Sequence, residues 1–173
     1  MTDMSPVLQG VRVTLHVART SEIDTAASRI AAGPQTARWW SSDEVRVLDW
    51  LLEPGPTVWA VEVGGELAGI VQVTPVDDPD YESAGLDISV FDGHQDRGHG
   101  TDALRTLARW LLGPGGRHRL TIDPALDNAR SIAACEHAGF RPVGVMRAYE
   151  RGEDGVWHDN LLLDMIAGDL PVA

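Results

Sequence analysis

The stretch HQDRGHGTDALRTLARWLL, residues 94–112, decides how the fold is read. Gly98 and Gly100 straddle His99, and Arg97 precedes them. An apolar stripe of Ala103, Leu104, Leu107, Ala108 and Leu111 follows at helical spacing, which places Asp102, Arg105 and Arg109 on the outward face. A helix that opens on a glycine turn leaves its first N–H groups unpaired at the positive end of its dipole. Glycine lets an anion approach that backbone closely, and Arg97 adds a fixed charge, so the turn reads as a phosphate or pyrophosphate site. Gly98, Gly100 and Ala103 also satisfy the G-x-G-x-x-A form of the dinucleotide fingerprint, with Asp123 in the place of a ribose-binding acid. Context rejects that reading. Residues 94–97 separate the strand from the turn, and hairpins precede and follow where βαβ units belong.

Outward from the turn, the other elements set the class. GVRVTLHVA (10–18) reads as a strand. SEIDTAASRIAAGP (21–34) and SSDEVRVLDWLLEP (41–54) read as helices, with Ser21/Asp24 and Ser41/Glu44 at capping-box spacing. TVWAVEVGGELAGIVQV (57–73) is a hairpin about Gly64 and Gly65, and AGLDISVF (84–91) is the strand that enters the turn. RLTID (119–123), the helix NARSIAACEHAG (128–139) and two strands around RGEDG complete the chain. The order is β-α-α-β-β-β-α-β-α-β-β. It predicts one α+β domain over 1–173, a mixed, mostly antiparallel sheet flanked by about four helices.

Composition narrows the function. The net charge is −12 and the pI about 4.7, which argues against a nucleic-acid or anionic-membrane partner and permits a cationic one. All 14 basic residues are arginine, so no lysine Schiff base or lysine nucleophile exists. The single cysteine, Cys135, excludes an internal disulfide and a cysteine-rich metal site. His94 and His99 are five apart on a turn and make no metal motif, so no metal is expected. MTDMSPVLQG shows no secretory pattern, and no apolar run approaches the roughly 18 residues of a membrane span. A cytoplasmic location is the expectation.

QDRGHGT (95–101) resembles the Q/R-x-x-G-x-G/A pyrophosphate loop of the GNAT acetyltransferases, and the element order resembles that fold. RWW (38–40), GLD (85–87) and IDPALDNARSIAACEHAGF (122–140) narrow the likeness to the aminoglycoside 6'-N-acetyltransferases, over roughly residues 11–166. The resemblance implies acetyl-CoA as co-substrate. It implies that the pyrophosphate is held by Gln95, Asp96, Arg97, Gly98, His99, Gly100 and Thr101, and that the pantetheine arm lies along the backbone of Ile88 and Val90 and against Asn128. Relatives with this pattern acetylate other amines. The leading expectation is acetylation of an aminoglycoside, its 6'-amino group first, which would confer antibiotic resistance; the alternatives are another amine (a siderophore intermediate, a polyamine or a protein N-terminus) or, in a different class, a non-catalytic acyl-CoA-binding module.

Acyl transfer to an amine needs a group that holds and deprotonates the amine, donors for the thioester carbonyl, and an outlet for the thiolate. Asp87, eight residues before Gln95, is the expected amine-binding base; the bland alternative is a solvated strand carboxylate. Cys135 shares a helix face with Asn128 and Ile132, at the position where the resembled family carries a proton-donating tyrosine. A thiol is a weaker donor, so Cys135 reads either as a poor acid or as a small buried residue. Trp39, Trp40, Asp123 and Asp154 are the expected acceptor-binding residues, and Asp77, Asp78, Asp80, Glu82 and Glu153 are expected to converge at the cleft mouth.

Overall fold

A computed structural model describes residues 6–171. The first five residues, part of the stretch read above for a secretory pattern, lie outside the described residues, as do the last two. The elements in chain order are β1 (Leu8–Gln9), β2 (Thr14–Val17), α1 (Thr20–Ala32), a single turn α2 (Pro34–Ala37), α3 (Glu44–Leu51), β3 (Thr57–Val63), β4 (Glu66–Val76), β5 (Ser83–Val90), α4 (His99–Leu111), β6 (Arg119–Ile122), α5 (Ala129–Ala138), β7 (Arg141–Arg151) and β8 (Trp157–Ile166). All eight strands join one sheet in the order β1-β2-β3-β4-β5-β6-β8-β7. Every pairing is antiparallel except β5 with β6. That is the α+β architecture the sequence predicts, with the two-residue β1 and the one-turn α2 added, and with the strand expected over 10–18 reduced to β2.

Strand alternation sends side chains to two cores. Trp59, Val61, Val71, Val73 and Leu86 meet the apolar stripe of α4 and the buried face of α5 on one side. Val58, Ile70 and Phe91 meet Ala26, Ala27 and Ile30 of α1 and Val47 and Leu51 of α3 on the other. No helix among the described residues is long and apolar enough to cross a membrane.

Three local expectations are corrected. Asp102 does not face outward. It is buried, and its carboxylate accepts the backbone N–H groups of Val11, Arg12 and Val13 at 3.2, 2.6 and 3.1 Å. The turn between β1 and β2 folds onto α4, and its N–H groups need an acceptor there. The cap of α1 is not Ser21/Asp24: the helix begins after Arg19, whose N–H donates to Glu22 at 2.8 Å. The cap of α3 is Asp43, accepting from Val45 and Arg46, because the Ser41 hydroxyl is drawn to Glu153 across the molecule.

Candidate active site

The site grows from a strand that loses one neighbour halfway. β5 pairs with β6 only from Ser83↔Arg119 to Leu86↔Ile122, yet it stays paired with β4 as far as Val90. The Phe91 N–H donates to Ala68 O on the β4 side. Alternation therefore turns the peptide groups of Ile88 and Val90 to the open edge. Val90 O already accepts the Gln95 amide at 2.8 Å, so the Ile88 peptide and the Val90 N–H are the groups left for a guest.

The turn after β5 closes the end of that edge. Gly98 caps α4 at φ 77, a left-handed conformation that favours glycine, and Asp96 shares that region at φ 58. A Cβ on Gly100 would stand 3.3 Å from Val90 Cγ2, so glycine lets α4 lie directly on β5. The start of α4 thus presents unpaired N–H groups beside the free strand edge. Across the gap, Asn128 caps α5 by accepting the Ser131 N–H at 3.2 Å. Arg130 reaches back to Gln95 at 2.9 Å, Asp96 at 3.2 Å and Gln35 at 3.0 Å. Thr101 donates to Ala134 O at 3.4 Å.

These elements enclose a cleft of about 600 Å³. Ile88, Val90, Gln95, Asp96, Gly98, His99, Gly100, Thr101 and Asn128 all line it. Arg97 is exposed on the turn and off the wall. The His94 and His99 rings lie 5.9 Å apart on the wall, and burial lowers the pKa of His94, with the charge of Arg29 adding to the effect.

A second cleft of about 530 Å³ opens on the other side of Ile88. Asp87, Gln72 and Thr74 lie on its floor, Trp39, Trp40, Trp50 and Glu53 form one wall, and Asp123, Asn128, Ser131 and Glu150 form the other. Trp39, Trp40, Ile88, Asn128 and Ser131 line both clefts and mark the waist where they meet. Water reaches the Asp87 carboxylate, but the cleft walls crowd around it. Desolvation, with the charges of Asp123 and Glu150 added, pushes its pKa up to about 6. Burial also raises Asp123, against a hydrogen bond from Asn160. Tyr149 is raised, chiefly by the charge of Asp123. Among the described residues no arginine or histidine forms an ion pair with Asp87, Asp123, Glu150 or Glu53.

Several expected site residues fall elsewhere. Cys135 is fully buried in the core behind α5 and lines neither cleft; burial pushes its thiol up to about 12. Asp154 sits in the β7–β8 turn, where it accepts from Val156 at 2.9 Å and meets His158 at 3.1 Å, away from the cleft wall. Asp77 pairs with Arg117, and Glu153 accepts from Ser41. Neither these two nor Asp78, Asp80 and Glu82 line the second cleft. Trp50, Glu53, Ser131 and Glu150 were missed by the sequence reading. Only the tertiary fold brings them to the cleft, although Ser131 stands three residues after Asn128 and was within reach of the same helix argument. The one cluster with metal-ligand geometry among the described residues, His16, Glu22 and Glu62, already has the Arg19 guanidinium on Glu22.

Comparison with known proteins agrees with this geometry. No curated protein sequence matches the chain. RimJ from Mycobacterium smegmatis, solved in complex with CoA-disulfide, superposes with a TM-score of 0.84 at 22% identity, over 98% of this chain and 91% of that one. The ribosomal-protein-S5-alanine acetyltransferase from Vibrio fischeri gives 0.76 at 15% identity, over 96% and 100%. RimL, a ribosomal L7/L12 alpha-N-protein acetyltransferase, gives 0.77 at 17%, over 96% and 97%. At these identities the likeness shows a shared fold. The model of the Acetyltransferase (GNAT) family matches residues 25–140, which hold the tryptophans of the second cleft, the splayed strand, the glycine turn and α5, and the chain therefore belongs to the GNAT acetyltransferase family.

Proposed function

We propose that the chain transfers the acetyl group of acetyl-CoA to an amine of a small polycation, an aminoglycoside in the first instance and its 6'-amino group above the others. The observation that carries this reading is the second cleft, where Asp87, Asp123, Glu150 and Glu53 face one space and, among the described residues, no arginine or histidine pairs with any of them. Unpaired carboxylates in a confined cleft favour a multiply charged cation, and the three tryptophans offer their faces to it. The fit of acetyl-CoA rests on the first cleft. The glycine turn and the start of α4 suit a pyrophosphate, and the free edge of β5 suits the two amides of the pantetheine arm.

Acetyl-CoA supplies the activated acetyl group; the chain supplies placement and proton traffic. Asp87 holds the ammonium at the waist and takes its proton, directly or through water. The amine nitrogen then bonds to the thioester carbon, and the free N–H groups of β5 hold the oxygen that gains charge. The C–S bond breaks and the sulfur leaves as thiolate. Ser131, at the waist and one helical turn before Cys135, gives that thiolate a proton; the second proton, shed by the nitrogen as the amide forms, passes through water to restore Ser131, and Asp87 releases the first to solvent. Cys135 serves the core.

A second reading is acetylation of a protein N-terminus. It is favoured by the structural likeness to RimJ, RimL and the S5-alanine enzyme. Release of free CoA thiol, followed over a panel of aminoglycosides, polyamines, hydroxylated lysines and peptides, tests both. The proposal expects the highest kcat/KM with an aminoglycoside. A peptide or a neutral amine at the head of the panel overturns it.

A further inference from the structure

Most of the fourteen arginines are already engaged. Arg19, Arg38, Arg117, Arg119, Arg130 and Arg141 hold carboxylates. Arg105, Arg109 and Arg151 donate to backbone carbonyls, and Arg29 and Arg46 lie over aromatic rings. Among the described residues only Arg12, Arg97 and Arg147 have no such partner for their guanidinium. Two of these three stand at the same turn. Arg97 belongs to it by sequence, and Arg12 arrives through the fold: its Nε lies 3.6 Å from where a Cβ on Gly98 would be.

That placement is built rather than incidental. Successive antiparallel pairings from β2 to β5 bring the start of β2 to the same end of the sheet as the end of β5. Asp102, in the first turn of α4, then clamps the β1–β2 turn by accepting three successive N–H groups, that of Arg12 at 2.6 Å. In a chain of net charge −12, two guanidinium groups are thus held at one helix start. The nearby carboxylates are spoken for: Asp96 by Arg130, and Asp102 by the turn it clamps. His99, the first residue of α4, is 8% exposed, lines the cofactor-side cleft, and its Nδ1 has no partner.

We propose that Arg12 binds the 3'-phosphate of the CoA nucleotide, with Asp102 as its positioning residue. The inference rests on the acetyl-CoA reading above. The N–H groups at the start of α4 and Arg97 suit the pyrophosphate. Arg12 stands at the rim beside Gly98, and CoA carries one further phosphate for it. A guanidinium can hold a phosphate with two parallel N–H donors, which suits it to that further phosphate.

Calorimetry with CoA and with 3'-dephospho-CoA separates the possibilities. The wild-type protein should bind CoA more tightly than dephospho-CoA. Arg12→Ala should weaken CoA about tenfold, the scale of a lost charge-assisted hydrogen bond, and leave dephospho-CoA within about twofold, so that the preference disappears. Asp102 bonds to the backbone of the turn, so Arg12→Ala removes none of its contacts and should fold normally. Arg12→Lys should restore part of the preference. An unchanged CoA affinity in Arg12→Ala, or an equal loss for both ligands, overturns the assignment. If the wild-type protein binds neither ligand, the acetyl-CoA reading itself has failed, a result distinct from either of these.

Discussion

Asp87 owes its raised pKa to its neighbours. Alone on a strand it would be an ordinary surface acid, but the cleft and the charges of Asp123 and Glu150 hold its pKa near 6. A base at that value works at neutral pH and fails below it. Asp87→Asn should lower kcat/KM by about 10²–10⁴-fold and alter the acidic limb, with acetyl-CoA affinity nearly intact; a limb that superposes on wild type removes Asp87 as the base. Stability gives an independent check. The folded pKa lies above the ordinary carboxylate value of 3.8, so the native state binds the extra proton between these values and loses stability as pH rises through them. The advantage of Asp87→Asn in urea melts should therefore be absent below about pH 4, grow to about pH 6 and then level off. Cys135 is the opposite case. Its thiol is buried and its pKa pushed to about 12, so Cys135→Ala should cost less than the roughly 100-fold of a lost general acid. Asp87 and Cys135 were both legible as positions worth weighing. Their environments were not, because Glu150 lies 63 residues from Asp87 in the chain and no local pattern links them.

Element boundaries were legible where the pattern is local. The stripe of α4, the Gly64–Gly65 hairpin and the end of the 128–139 helix at Gly139 are each set by residues within one or two turns. Apart from the start of α1, which lies within one turn of the predicted cap, the failures are contacts at long range. Asp102 has an outward position by helical periodicity, yet a turn about 90 residues earlier packs over it and makes it an acceptor. Asp102→Ala strips three backbone N–H groups of their partner and should lower stability by about 1–3 kcal/mol, the cost of leaving a buried donor unsatisfied; a melt equal to wild type would show the turn held by other contacts. At Gly98 the backbone sits at φ 77, which a β-branched side chain resists by about 1–2 kcal/mol. Gly98→Val should therefore both weaken CoA binding and lower stability slightly, and unchanged CoA affinity in a folded variant would remove the turn as the pyrophosphate site.

At the scale of the whole molecule, one sheet with a gap between β5 and β6 does the organising. The gap leaves a free strand edge, α4 and α5 frame it, and the acidic cleft approaches the same point from the other side. The net charge of −12 extends that acidity over the surface. Steering by exposed charge is screened as salt rises, because the Debye length falls from about 10 Å at 0.1 M to about 3 Å at 1 M. The kcat/KM for a polycationic acceptor should fall along that curve, and a salt-independent value would place recognition in shape alone. Overall charge was legible from composition, whereas the meeting of Glu53, Asp87, Asp123 and Glu150 needed the fold. The central claim is that this cleft selects a polycation for acetylation. The most direct test is a single competition: the protein, limiting acetyl-CoA, and equal concentrations of an aminoglycoside with a 6'-amino group, a monoamine and a peptide with a free N-terminus, resolved by mass spectrometry. The account predicts that the acetyl group appears on the aminoglycoside, at one amine. Acetyl on the peptide or the monoamine, or none on any of the three, would contradict it.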